Sequence, residues 1–152
     1  MTRPFSSAIG PEQMHIDDDL RRLIDEHLPF VRSLHARGSL APVAVSMKMN
    51  GVITGHALVM ESREAREVSV DYALRRFTDQ FQQAFHDRRI RAAAIFFHGS
   101  AVGTTIRPAL SVDQANTLVV WLDNISGDSF QATIPYANLD SGRWEIAHRP
   151  AF

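Results

Sequence analysis

The sequence predicts an α+β protein, with an antiparallel sheet of about six strands and with helices packed on one face of that sheet. Three observations predict this class. Two segments repeat apolar residues at spacings of three and four, as amphipathic helices do. Several short segments alternate apolar and polar residues, as half-buried strands do. The last four of these follow one another without a helix, which indicates an antiparallel meander.

Length and composition fit one ordinary globular domain. The chain has 152 residues, of which 45% are hydrophobic, and we place the domain at residues 16–152 behind an N-terminal arm at residues 1–15. It has no cysteine, which excludes disulfides, thiolate metal sites and cysteine nucleophiles. The net charge of -1 provides no overall field for nucleic acid. No apolar run approaches the ~20 residues that span a bilayer and no signal peptide is recognisable, so we expect no membrane partner and a cytoplasmic location.

The first predicted helix follows Asp17 and ends near Gly38. Acidic residues suit the positive first turn of a helix, and glycine suits the position just beyond its end. Pro29 falls within the pattern and removes one backbone donor, so we expect a kink or two short helices. The apolar stripe consists of Leu20, Leu23, Ile24, His27, Val31 and Leu34.

A hairpin comes next. Val43 to Met49 alternates apolar and polar residues, Asn50-Gly51 follows, and an apolar segment runs from Val52 to Met60. Asn-Gly between such segments favours a type I′ turn, in which both turn residues have positive φ.

The second helix has the clearest pattern. Ser69 can cap it, and Asp71 lies in its first turn. Large apolar residues at helical spacing are typical of a core-facing stripe, not of an aromatic binding site. The stripe consists of Val70, Leu74, Phe77, Phe81 and Phe85.

Four strands are predicted after this helix, at residues 91–98, 117–123, 130–136 and 144–148. The second of them is apolar on both faces, because Leu118, Val120 and Leu122 alternate with Val119 and Trp121. Such a pattern is typical of a strand that is covered on both sides.

Part of the C-terminal half resembles a family of small bacterial proteins without assigned function. The similar stretches are residues 90–95, 115–122, 127–136 and 149–152. The sequence departs from the family pattern after His98 and in the first hairpin. The resemblance implies a bacterial source and a compact α+β fold, and it implies no catalytic residue.

Two known architectures share roughly this order of elements. One is the profilin- or roadblock-like sandwich of interaction modules, and the other is the cone-shaped fold that resembles nuclear transport factor 2 and encloses a pocket. Our first hypothesis is a non-catalytic binding or assembly domain that forms a homodimer through its sheet. Residues 118–122 are apolar on both faces, whereas helices on one face would cover only one of them.

The alternative hypothesis is an enzyme of the cone-shaped class that binds a small molecule. His56 and His98 are the candidate general bases, because each lies on a strand with apolar or small neighbours. The seven histidines include no His-x-x-x-His pair, and the glycines near Gly99 lack the lysine of a phosphate loop. The sequence therefore predicts neither a metal nor a cofactor.

The segment from Gly99 to Asn116 is longer than a tight hairpin allows. Loops of this length are commonly functional or mobile. We expect a mobile or ligand- or partner-contacting loop, and the competing prediction places Val102, Ile106 and Leu110 in the core with a short helix at residues 108–114. The candidate contact residues are Thr104, Thr105, Arg107 and Asp113.

Overall fold

The computed structural model describes residues 16–56 and 70–149. Two long α-helices, seven strands and two short 3-10 helices make up this part of the chain. In chain order they are α1 (Asp18–Ala36), β1 (Val43–Lys48), β2 (Ile53–His56), α2 (Val70–His86), β3 (Ile90–Val102), β4 (Thr105–Pro108), a 3-10 helix (Val112–Gln114), β5 (Thr117–Asn124), β6 (Ser129–Pro135), a second 3-10 helix (Tyr136–Ser141) and β7 (Glu145–His148).

All seven strands belong to one antiparallel sheet. Six of them lie in the order β2-β1-β3-β5-β6-β7, and β4 pairs with the C-terminal end of β3. The predicted α+β class is therefore confirmed, and β4 is the strand that the sequence did not predict. The arm at residues 1–15, the cap at Ser69 and the continuation of β2 beyond His56 lie outside the described residues.

The two long helices lie on opposite faces of the sheet, which corrects the expectation that both pack on one face. Met47 and Phe96 belong to the core cluster beneath α1, whereas Ala44 and Ile95 belong to the cluster beneath α2. Successive side chains of a strand point to opposite faces, so these neighbouring strands supply both clusters. Helical periodicity reports which side of a helix is buried, but not which face of a sheet it meets.

The first face of the sheet, beneath α1, carries the larger core. The helix contributes Leu20 and Leu23, both 0% exposed, and β5 contributes Leu118, Val120 and Leu122. Asp17 caps the helix by accepting a hydrogen bond from the Leu20 N–H at 2.9 Å. Gly38 follows the last turn with φ 79, as predicted for that position. α1 continues through Pro29 as one helix, so the expectation of two short helices is wrong.

The second face, beneath α2, is covered by the predicted phenylalanine stripe. Phe77 and Phe81 are 2% and 5% exposed, and their rings stack with centroids 6.5 Å apart. They pack against Ala93, Phe97 and Val119 of the central strands. The prediction that this helix faces the core is confirmed.

The turn of the first hairpin differs from the predicted type. The Gly51 N–H donates to the Lys48 carbonyl at 2.9 Å, and Lys48 N–H donates to the Val52 carbonyl at 2.8 Å. Gly51 has φ 89, whereas Asn50 is not among the residues with positive φ. The loop therefore has three residues, with Gly51 as a bulge, and the type I′ prediction is wrong. Both loop types need glycine at position 51.

Candidate functional site

His98 lies on the first face of the sheet, beneath the last turn of α1. It is 4% exposed, and its Nδ1 atom lies 2.6 Å from the Tyr136 hydroxyl. The His35 ring of α1 stacks on the His98 ring at 4.7 Å between centroids, and it lies 4.5 Å from the Tyr136 ring. A helix end, a central strand and a 3-10 helix thus bring three ring side chains together. We call them the His35–His98–Tyr136 cluster.

Burial keeps the two hydrogen-bonded members of this cluster uncharged. Burial, and to a smaller extent the charge of His35, lower the pKa of His98 from 6.5 to about 4. Burial also raises the pKa of Tyr136 from 10.0 to about 12. At neutral pH the pair is therefore a neutral imidazole bonded to a neutral phenol.

These values make His98 a poor general base. A general base is most effective when its pKa lies near the working pH. An imidazole with a pKa of about 4 releases a proton far more readily than it holds one at pH 7. The arrangement fits a group that positions the Tyr136 hydroxyl better than one that removes a proton from a substrate.

His56 lies on the opposite face, beneath α2. Its Nε2 atom is 2.7 Å from the Ser46 hydroxyl, and its ring meets the Phe81 ring edge-on at 5.3 Å. The register places His56 opposite Ala44, so Ser46 is its diagonal neighbour on β1. Burial lowers the pKa of His56.

The Ser46–His56 distance is that of a nucleophile and its base, but the serine is not accessible. Ser46 is 2% exposed and lies on β1, between β2 and β3. A substrate carbon could reach its hydroxyl only if packed elements separated. We therefore interpret the contact as a satisfied buried polar pair. His56 and His98 lie on different faces and form no common site.

The segment from Gly99 to Asn116 is a hairpin with a 3-10 turn, not a loop without secondary structure. β3 extends to Val102, Gly103 turns the chain at φ 62, and β4 returns. We call residues 99–116 the β3–β4 hairpin segment.

Side-chain and backbone hydrogen bonds anchor this segment to the rest of the sheet. The Ala101 N–H donates to Asn116 Oδ1 at 2.8 Å, and Asn116 Nδ2 donates to the Ala101 carbonyl at 3.1 Å. The Ala109 N–H donates to the His98 carbonyl at 2.9 Å. Ile106 is partly buried against the core beneath α2, as the competing prediction expected.

The four predicted contact residues of this segment are all exposed. Thr105 and Arg107 share one face of β4, Thr104 lies in the turn, and Asp113 lies in the 3-10 helix. The structure brings none of them into contact with His56 or His98 through any hydrogen bond or ion pair among the described residues.

Sequence reasoning missed the exposed apolar side chains of the same segment. Leu110 is 83% exposed, Val102 is 75% exposed and Val112 is 50% exposed. The competing prediction buried Val102 and Leu110 in the core, and that part of it is wrong. The sequence did contain evidence against their burial, because Val102 and Leu110 do not follow the spacing of a helical apolar stripe.

Metal-binding groups do not converge in the described ranges. Residues 16–56 and 70–149 contain no group of three or more His, Asp or Glu side chains placed to hold an ion. Glu145 and His148 are three residues apart, but they lie on β7, where side chains at this spacing point to opposite faces.

Comparisons with protein-family models, with curated proteins and with solved structures each gave no significant match. The resemblance of the C-terminal half to a bacterial family therefore stays a prediction. None of the helices in the described part of the chain is both long enough and apolar enough to cross a membrane.

Proposed function

We propose that this protein is a non-catalytic binding domain that forms a homodimer through the β3–β4 hairpin segment of its sheet. The observation that carries the proposal is the exposure of Leu110 and Val102, at 83% and 75%. Both side chains belong to residues 99–116, and exposed apolar side chains are a feature of protein–protein contacts.

The backbone that carries these side chains is held in place. Asn116 bonds both backbone groups of Ala101, and Ile106 is inserted toward the core beneath α2. Binding through a segment that is already ordered costs less conformational entropy than binding through a disordered loop. Both observations support a binding surface.

The charged and hydroxyl side chains of the segment supply a polar rim. Thr104, Thr105, Arg107 and Asp113 are exposed in the same segment. Among the described strands β4 pairs only with β3, so a second strand can bond the backbone groups of its other edge. A two-fold axis would close the assembly at two copies. A cytoplasmic location belongs to the same proposal.

This contact replaces the one inferred from the sequence. Val119 was expected to need a partner on the second face, but α2 and Phe97 cover it. Trp121, on the same face, meets Phe97 at 5.1 Å and lies under the Arg149 guanidinium at 5.0 Å. The apolar second face of β5 is thus occupied from within the chain.

The enzyme hypothesis has less support. It needs a base with a pKa near neutrality or an accessible nucleophile, whereas His98 has a pKa of about 4 and Ser46 is 2% exposed. A small-molecule ligand that contacts the Tyr136 side of the cluster stays a hypothesis.

Size-exclusion chromatography with light scattering tests the proposal. The wild-type chain should have twice the mass of one copy at micromolar concentration, and a Val102→Ser/Leu110→Ser variant should have the mass of one. Val52→Ser is the matched control, because Val52 is 50% exposed on the other hairpin. A wild-type monomer at every concentration, or a variant that still forms dimers, would overturn the proposal.

A further inference from the structure

We propose that the stacked His35 and His98 rings form an acid-sensitive latch, which holds the end of α1 beyond Pro29 on the sheet and releases it when both imidazoles are protonated. The inference concerns a conformational property of the chain and does not depend on the proposed dimer.

The latch joins two elements at one point. The two rings are nearly parallel, with 26° between their planes and 4.7 Å between their centroids. His35 lies in the last turn of α1, and His98 is buried in the central strand beneath it. A neutral pair in this arrangement is an ordinary aromatic contact, whereas two positive charges at the same distance repel each other in a site with little water.

The titratable groups that face His98 come from two elements. α1 contributes His35, and the second 3-10 helix contributes Tyr136, whose hydroxyl bonds Nδ1. β5 places the apolar Leu118 opposite His98, and the chain after β4 approaches only through the backbone N–H of Ala109. Within residues 16–56 and 70–149, the side chains that contact His98 therefore include no carboxylate that could compensate a second positive charge.

Pro29 is the position at which the C-terminal part of α1 can separate from the rest of the helix. Its nitrogen has no hydrogen to donate to the Asp25 carbonyl, so the helical hydrogen-bond ladder is interrupted there. The first part of α1 is held by Leu20, Leu23 and Ile24, all at most 3% exposed.

The part of α1 beyond Pro29 has fewer attachments. It is held by Val31, by the partly buried Leu34, by the His35 stack and by an exposed ion pair between Arg32 and Asp140. Exposed ion pairs contribute little to stability. The stack of His35 on His98 is thus one of the contacts that attach this end of α1 to the sheet.

Acid acts on the docked state through proton linkage. Burial and the charge of His35 lower the pKa of His98 in the docked state, and an exposed His98 would regain an ordinary histidine pKa. The released state therefore binds one more proton as the pH falls. For one proton, the ratio of released to docked chains rises by up to about tenfold for each unit of pH.

Spin-label distances between introduced cysteines test the latch, and the chain has no native cysteine to interfere. Ser33→Cys beyond Pro29 and Gln82→Cys on α2 form the reporter pair, and Arg21→Cys with Gln82→Cys forms the control pair; all three positions are exposed. Between about pH 7.5 and about pH 5, the reporter pair should gain a longer distance, while the control pair should not change.

Two variants assign the effect to the rings. His98→Phe keeps an aromatic ring but takes up no proton, so it should show one distance at both pH values. His35→Phe removes the opposing charge and should weaken the change of the reporter distance with pH. This second variant keeps the test informative if His98→Phe does not fold. The proposal is overturned if the wild-type reporter distance is independent of pH, if His98→Phe still shows the longer distance, or if the control pair changes together with the reporter pair.

Discussion

Gly99 of β3 lies directly against Val119 of β5. A Cβ atom built on Gly99 would be 2.9 Å from Val119 Cγ2 and 3.1 Å from Ile106 Cγ2. Val119 is 0% exposed, so it cannot move into solvent. The close approach brings the β3–β4 hairpin segment onto the core beneath α2.

Gly99→Ala should therefore destabilise the protein by about 1–3 kcal/mol, because the added methyl group overpacks a closed site. Urea denaturation followed by circular dichroism measures the change. Gly55→Ala is the control: its Cβ would lie 3.6 Å from His27 Cε1, an ordinary contact. Equal stability of Gly99→Ala and wild type would mean that the hairpin segment does not press on Val119.

Phe77→Ala should cost about 3–5 kcal/mol, since it removes a large side chain from the core beneath α2. Phe77 is 2% exposed, whereas Phe30, on α1, is 52% exposed. Phe30→Ala should therefore change the free energy of unfolding much less. Similar losses for the two variants would show that the α2 stripe is not the anchor of the second face.

Gly51→Val should be destabilising, because a β-branched residue adopts φ near 89 only with strain. Asn50→Asp should be mild, since either side chain offers the oxygen that accepts the Val52 N–H at 3.1 Å. Thermal melts of both variants test the three-residue turn. A neutral Gly51→Val would contradict the backbone conformation described for this hairpin.

Stability should fall as the pH is lowered from about 6.5 toward about 4. The folded chain with α1 docked holds His98 neutral down to a pKa of about 4, whereas the unfolded chain protonates it near 6.5, so acid favours the unfolded state over the docked one. The difference corresponds to about 3 kcal/mol, fully present above pH 6.5 and lost progressively below it. Burial lowers the pKa values of His27 and His56 as well, so they act in the same direction.

Denaturant unfolding at several pH values measures this loss. His98→Phe should flatten the dependence between pH 6.5 and pH 4, and His148→Phe should not, because His148 is exposed against Phe130. A His98→Phe variant with the wild-type slope would show that another group controls acid stability.

Sequence patterns predicted the elements better than their arrangement. The stripe of Leu74, Phe77 and Phe81 predicted α2 because helical burial is local and periodic. Nothing local in that stripe decides which face of the sheet it covers. Val119 and Trp121 had indicated an uncovered second face, and the crossover of α2 onto that face changed the conclusion.

The candidate site was predictable only in part. The strand pattern indicated His56 and His98, but their partners Ser46, His35 and Tyr136 come from other elements, and the sequence gives no rule for such long-range contacts. The exposed state of Leu110 was also not predictable, because an apolar residue without periodicity is compatible with either core or surface.

The most direct test of the proposed dimer is an isotope-filtered nuclear Overhauser experiment on a mixture of labelled and unlabelled copies. The account predicts intermolecular contacts to the methyl groups of Leu110 and Val102, and none to those of Val52. Contacts between copies that involve other surfaces, or no contacts at protein concentrations well above micromolar, would contradict it.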